Sequence, residues 1–140
     1  MARVIPIEAA LRAGVAVIVI AAHVTVARAT LTAIVPRVIA TAGSDAKCEK
    51  ARGLGADRAV NYATDDWVAA VKEFTGKRGV RIAIDHVGET TIGKSIQCLA
   101  KGGMVVTCGA TSGWNLAADL RAIFFKSLSI LGSTKGGLGE

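Results

Sequence analysis

Aromatic side chains are scarce. Two Trp, one Tyr and three Phe account for 4% of the 140 residues, against 51% hydrophobic residues overall. Ala, Val, Ile and Leu must therefore fill the core, a composition that suits a buried sheet covered by helices on both faces. Proline is rarer still, with two against 16 glycines, which points to many tight turns rather than a disordered tail. The three cysteines, Cys48, Cys98 and Cys108, are odd in number and widely spaced. They form neither a CxxC nor a Cys/His ligand pattern, so no disulfide framework and no metal site is expected. A reduced, cytoplasmic setting is the simplest reading.

Acidic residues are also in deficit, 11 against 17 basic, giving a net charge of +6. A basic surface attracts nucleic acid, an anionic membrane or a phosphorylated small molecule. No Lys/Arg cluster with interleaved aromatics is present, which argues against nucleic acid. The N-terminus lacks the charged-then-apolar layout of a signal peptide. Residues 15–35 are strongly apolar but contain His23 and Arg28. A central Arg costs about 2.5–3.5 kcal/mol on insertion scales, and a span needs about 20 residues. A buried strand followed by a helix accounts for this stretch better than a membrane segment does.

Strand-like and helix-like segments alternate along the chain. Residues 15–20 are a continuous apolar run, the mark of a central parallel strand. Residues 37–41 form a second strand, after which Ser44 caps a helix through about Leu54, with Gly55 just past its end. Residues 59–62 read as a third strand. Thr64 is the expected cap of the next helix, whose Trp67, Ala70, Val71 and Phe74 share one face and whose stop is Gly76. Residues 80–84 are a fourth strand and 85–88 its exit loop. A helix over residues 90–100 carries Ile92, Ile96 and Leu99, with Gly102 and Gly103 ending it. Residues 104–108 are a fifth strand, a looser segment runs through Phe125, and 128–131 are a sixth strand. The alternation predicts an α/β fold: one domain over 1–140, with a doubly wound parallel six-stranded sheet of the Rossmann dinucleotide-binding kind.

Residues 38–134 resemble the medium-chain dehydrogenase/reductase superfamily, in its quinone oxidoreductase and zinc-type alcohol-dehydrogenase-like branch. The carrying residues are Val38-Ile39-Ala40-Thr41-Ala42-Gly43-Ser44-Asp45 with Lys47, Gly53-Leu54-Gly55-Ala56-Asp57, and Asn61-Tyr62. Further on come Asp85-His86-Val87-Gly88, Gly102-Gly103, Thr107-Cys108-Gly109-Ala110-Thr111-Ser112-Gly113 and Ser129-Ile130-Leu131-Gly132-Ser133-Thr134. The resemblance implies a cofactor-binding domain without the N-terminal catalytic domain that normally precedes it. The chain then reads as a fragment, an excised domain or a truncated product, weak or inactive alone. It also implies a glycine-rich turn after the first strand, where backbone N–H groups hold a pyrophosphate. Here that stretch is Ala21-Ala22-His23-Val24-Thr25-Val26, and no glycine occurs between Gly14 and Gly43.

A NAD-preferring member carries a carboxylate at the end of the second strand. The matching residue is Ala42, and with Ser44 and Lys47 on the next turn the resemblance favours NADPH over NADH. Tyr62 matches a position near the same phosphate. The alternative is that Ser44 is only a cap and Lys47 only a solvated charge; the phosphate-binding reading is favoured. Gly88, Cys108, Gly109, Leu131 and Ser133 fall at strand C-termini and by resemblance line the adenine and nicotinamide sites, although plain turn chemistry also needs these glycines. Asp85 beside His86 invites an acid–base reading, but the resemblance makes Asp85 a loop-ordering carboxylate. His23 is either a phosphate ligand or an incidental loop histidine. Cys108 has no base beside it in sequence, and no catalytic residue is assigned.

The implied activity is hydride transfer to a small-molecule quinone, activated alkene or carbonyl/alcohol substrate, with the chemistry carried by the cofactor. A non-enzymatic dinucleotide sensor or partner-binding module, and a degenerate fragment without ligand, stay open. The sixth strand is expected at the sheet edge, where it would join two copies into a homodimer.

Overall fold

The computed structural model describes residues 16–20 and 37–133. The apolar runs become strands β1 (Ala16–Ile20), β2 (Arg37–Ala42), β3 (Arg58–Asn61), β4 (Val80–Asp85), β5 (Leu99–Thr107) and β6 (Ser129–Gly132). They hydrogen-bond in the order β3-β2-β1-β4-β5-β6, and every pairing is parallel. The order reverses between β1 and β4, so the C-terminal ends of the strands open a crevice there. The α/β class and the parallel sheet agree with the sequence reading. Side chains alternate across the sheet with period two. Ile39 packs with Val60, Val71, Val80, Ala83, Ile96 and Val105 in one buried cluster, whereas Ala40 and Ala42 face a smaller one with Cys48, Ala51 and Ala59.

Among the described residues, helix α1 (Asp45–Gly53) joins β2 to β3 and begins as expected. Ser44 Oγ accepts from the Lys47 N–H at 3.4 Å, Asp45 lies in the first turn, and Lys50 and Arg52 lie in the last. These charges complement the helix dipole. Helix α2 (Trp67–Phe74) starts later than Thr64 predicts. Asn61 uses its carbonyl to hold the Thr64 and Asp65 amides in a turn, so the helix waits for Asp66, which accepts from Ala69 N–H at 3.1 Å. Trp67 and Val71 are buried, Ala70 and Phe74 pack beside them, and Arg37 stacks 3.9 Å over the Phe74 ring.

Two departures lie further along. Helix α3 covers only Ile92–Gln97 rather than 90–100, because Leu99 already belongs to β5. The Val80 N–H donates to Cys98 carbonyl at 2.9 Å, and the glycine pair 102–103 sits inside β5, where the register slips between Val80↔Leu99 and Ile82↔Met104. Backbone pairing with β4 thus outcompetes the last helical turn. The loose segment before residue 125 contains a helix, α4 (Leu120–Lys126), capped by Asp119 and ended by Ser127 in the left-handed region. None of its residues is fully buried, although Leu120, Ile123 and Phe124 stand at i, i+3 and i+4 and Ile123 packs against the core.

Candidate functional site: the C-terminal edge of the sheet

The predicted site residues gather in two groups at the C-terminal edge of the sheet. The first lies where β2 and β3 end. Tyr62 N–H donates to the Ala42 carbonyl at 2.9 Å, which brings the ring across Gly43. A Cβ at Gly43 would sit only 2.9 Å from Tyr62 Oη, so the missing side chain is what lets the tyrosine lie there. Ser44 is half-buried next to it, and Lys47 is exposed on the first turn of α1. Asp45, the nearest carboxylate in sequence, is engaged by Asn61, whose Nδ2 donates to it at 2.9 Å. Two hydroxyls and an ammonium therefore border this end.

Between the two groups stands Asp85, fully buried at the end of β4. Its Oδ1 accepts from Val87 N–H, Gly88 N–H and Thr91 Oγ, each at 3.0 Å, and its Oδ2 from Ser95 Oγ at 2.8 Å. A buried carboxylate satisfied by four donors fixes the loop that supplies them. Gly88 has φ +94°, and a Cβ there would lie 2.7 Å from Gly113 O and 2.8 Å from Ala110 Cα. The loop after β4 is thus pressed onto the loop after β5. Ser112 N–H and Oγ both donate to the Val87 carbonyl, at 2.8 and 2.7 Å, and Thr90 N–H donates to Ser112 Oγ at 3.1 Å.

The second group lies where β5 and β6 end. A cavity of about 430 Å³ opens there between Cys108, Gly109, Ala110, Gly132, Ser133 and Trp114. Cys108 N–H donates to Asp85 O at 3.1 Å and Ser133 N–H to Thr107 O at 2.9 Å, so both loops hang from neighbouring strand ends. Leu131, also a candidate, is exposed on β6 and stands outside this lining. Trp114 escaped the sequence reading. Its signal was a second tryptophan in a glycine-rich loop, away from any helical stripe.

The cysteines do not converge. Burial pushes the Cys98 thiol up to about 12 and raises that of Cys48, whereas Cys108 is exposed. Among the described residues no group of three or more His, Cys, Asp or Glu could hold a metal ion. The described residues do not fit a zinc site, and no step through zinc is derived for this chain. No helix among them is long and apolar enough to cross a membrane. The glycine-less stretch 21–26, including His23 and Thr25, lies outside the described residues.

Comparison with known proteins agrees with this geometry. The family model described as zinc-binding dehydrogenase matches residues 22–140. A 2-haloacrylate reductase from Burkholderia sp is 38% identical over 96 residues, which are 69% of this chain and 28% of that protein. The crystal structure of Escherichia coli quinone oxidoreductase complexed with NADPH matches with a TM-score of 0.74 and 30% identity, covering 84% of this chain and 37% of that one. A crystal structure of an NAD-dependent alcohol dehydrogenase matches at TM-score 0.78 and 39% identity, covering 89% and 37%. The chain therefore spans well under half the length of these relatives.

Proposed function

We propose that this chain, which belongs to the zinc-binding dehydrogenase family of medium-chain dehydrogenases/reductases, binds NADPH along the C-terminal edge of its sheet. The whole unit then acts as one doubly wound dinucleotide-binding domain of an oxidoreductase. The observation that carries the reading is the spacing of two unlike ends. β2 and β5 are separated by β1 and β4, so three steps of about 4.8 Å put the ends about 14 Å apart. That suits an extended dinucleotide lying across the crevice. Ser44, Lys47 and the Tyr62 hydroxyl meet the 2′-phosphate. The Gly88 loop passes beside the middle, and the β5–β6 cavity receives the nicotinamide.

When bound, the cofactor supplies the hydride, for a quinone, an activated alkene or a carbonyl/alcohol substrate. This chain's residues bind and orient it. Asp85 fixes the Gly88 loop from below, and Gly109 and Ser133 shape the nicotinamide end. The chain covers 28% of a 2-haloacrylate reductase, which supports a division of labour in which other residues of a complete enzyme form much of the substrate pocket, leaving the isolated chain weak or inactive. The same observation favours a second reading, a dinucleotide sensor that binds without turnover.

A small-molecule substrate, a cytoplasmic setting and a homodimer belong to the same proposal. β6 is an edge strand with Ile130 39% and Leu131 41% exposed, and an apolar edge with open backbone groups invites pairing with a second copy. Light scattering should then give a discrete dimer.

Isothermal calorimetry tests the cofactor reading. NADPH should bind more tightly than NADH, and Lys47→Ala should weaken NADPH by roughly tenfold, the value of one charge-assisted contact to phosphate, while leaving NADH unchanged. Equal affinities would overturn the NADPH preference. Tight binding with no turnover in a reconstituted enzyme would favour the sensor, and no binding of either would leave a fragment without ligand.

A further inference from the structure

We infer that Trp114 forms a stacking wall for a planar conjugated ring seated in the β5–β6 cavity. The inference rests on the proposed cofactor reading but goes beyond it, to a residue and an interaction that the reading does not need. Trp114 is 90% exposed, while the only other tryptophan, Trp67, is 2% exposed in the core. A large apolar ring held almost wholly in water on a cavity rim has a contact still to make. The rest of the lining is short: Thr107, Cys108, Gly109, Ala110, Gly132 and Ser133. Gly109 is small because a Cβ would strike the His86 carbonyl at 2.9 Å.

Gly132 has no such reason. Its φ is not positive, and a Cβ built on it meets no described heavy atom within 4 Å. The fold would accept a side chain there, and glycine is the residue that leaves this side of the cavity open. An open, largely apolar wall of short residues, with one large indole at its rim and about 430 Å³ beside it, suits a flat ring better than a charged group. Two sources share that chemistry: the pyridine ring of the cofactor and the ring of a quinone-type acceptor.

The test is tryptophan fluorescence of the 140-residue chain, titrated separately with NADP⁺, with 1,4-naphthoquinone and with adenosine 2′,5′-bisphosphate. Ultrafiltration measures NADP⁺ binding in parallel. NADP⁺, naphthoquinone or both should quench the solvent-exposed Trp114 emission saturably, and the bisphosphate, which lacks the second ring, should not. Trp114→Phe should lose the signal yet bind within about twofold, Trp114→Ala should bind the quenching ring roughly tenfold more weakly, and Gly132→Leu should abolish the quenching.

The quenching probe identifies the ring: pyridine if NADP⁺ quenches, acceptor if naphthoquinone does. Because Trp114 is exposed, its replacements leave the core intact and the test stays decisive. NADP⁺ retained on the filter with Trp114 silent to both ring probes, or Trp114→Ala binding like the parent, would overturn the inference and leave the cofactor reading standing. NADP⁺ not retained, with naphthoquinone still quenching, would do the reverse.

Discussion

The two ends of the sheet edge are built in opposite ways. At the β2–β3 end the tip of a tyrosine lies against a glycine, Asp45 is engaged by Asn61, and a serine caps a helix. The groups there are polar-tipped and contributed by neighbouring turns. At the β5–β6 end the walls are short residues, glycine and alanine beside Thr107, Cys108 and Ser133, with one indole, and the space is open. The first end is suited to charge, which needs a few fixed donors. The second is suited to a flat apolar surface, which needs room and a broad contact. Asp85 stands between them, and its four donors tie the Gly88 loop to the sheet.

That division can be broken at its centre. Asp85→Ala leaves the Val87 and Gly88 amides without an acceptor in a buried site, while the Thr91 and Ser95 hydroxyls keep only their carbonyl acceptors. Stranding buried donors costs about 1–3 kcal/mol each where water cannot reach them. We expect a loss of about 3 kcal/mol or more in urea unfolding, with the β5–β6 loops released and the β2–β3 end retaining its Lys47-dependent contact. A loss below about 1 kcal/mol would mean that the network does not hold the loop.

A narrower cut is Gly88→Ala. It forces a side chain into a left-handed φ and against the backbone of Gly113. Strain of this kind costs about 2 kcal/mol. The variant should lower the midpoint of urea unfolding and weaken whatever binds at the β5–β6 end, while Tyr62 and Ser44 keep their places. Unchanged stability would mean that the two loops are not pressed together.

The smallest effect comes from a group remote from both ends. Cys98 is buried and its folded-state pKa is raised from 9.0 to about 12. Between those values the unfolded chain loses this proton while the folded chain keeps it, so stability falls as pH rises from about 9 towards 12. By pH 10 the loss should be about 1 kcal/mol. Cys98→Ala should shrink that slope to the smaller part due to the buried Cys48 thiol, compared by denaturation at pH 8 and pH 10, without changing the contrast between the ends. A slope unchanged by the substitution would place its origin elsewhere.

The contrast also explains what was legible in the sequence. Much of the β2–β3 end is local in sequence, because Ala42, Gly43, Ser44 and Lys47 fall within six residues, and a serine before a helix has one geometry that satisfies the first turn. Strands were legible from apolar runs, and the α2 face from the spacing of Trp67, Val71 and Phe74. The β5–β6 cavity draws on the loop after β5 and on the end of β6, and only pairing of those strands brings Gly132 to Trp114. The short α3 was hidden for a related reason: Leu99 suits a helix face and a strand equally, and β4 claims it. Helix α4 hid because it is only seven residues long, so the spacing of Leu120, Ile123 and Phe124 never completes a second repeat.

The most direct test of the central claim is an amide correlation spectrum of the 140-residue chain titrated with NADPH. One dinucleotide spanning the edge should shift the amides of Ser44, Lys47 and Tyr62 together with those of Gly88, Cys108, Gly109 and Ser133, along one saturation curve. Shifts confined to one end, or two curves with different midpoints, would contradict it.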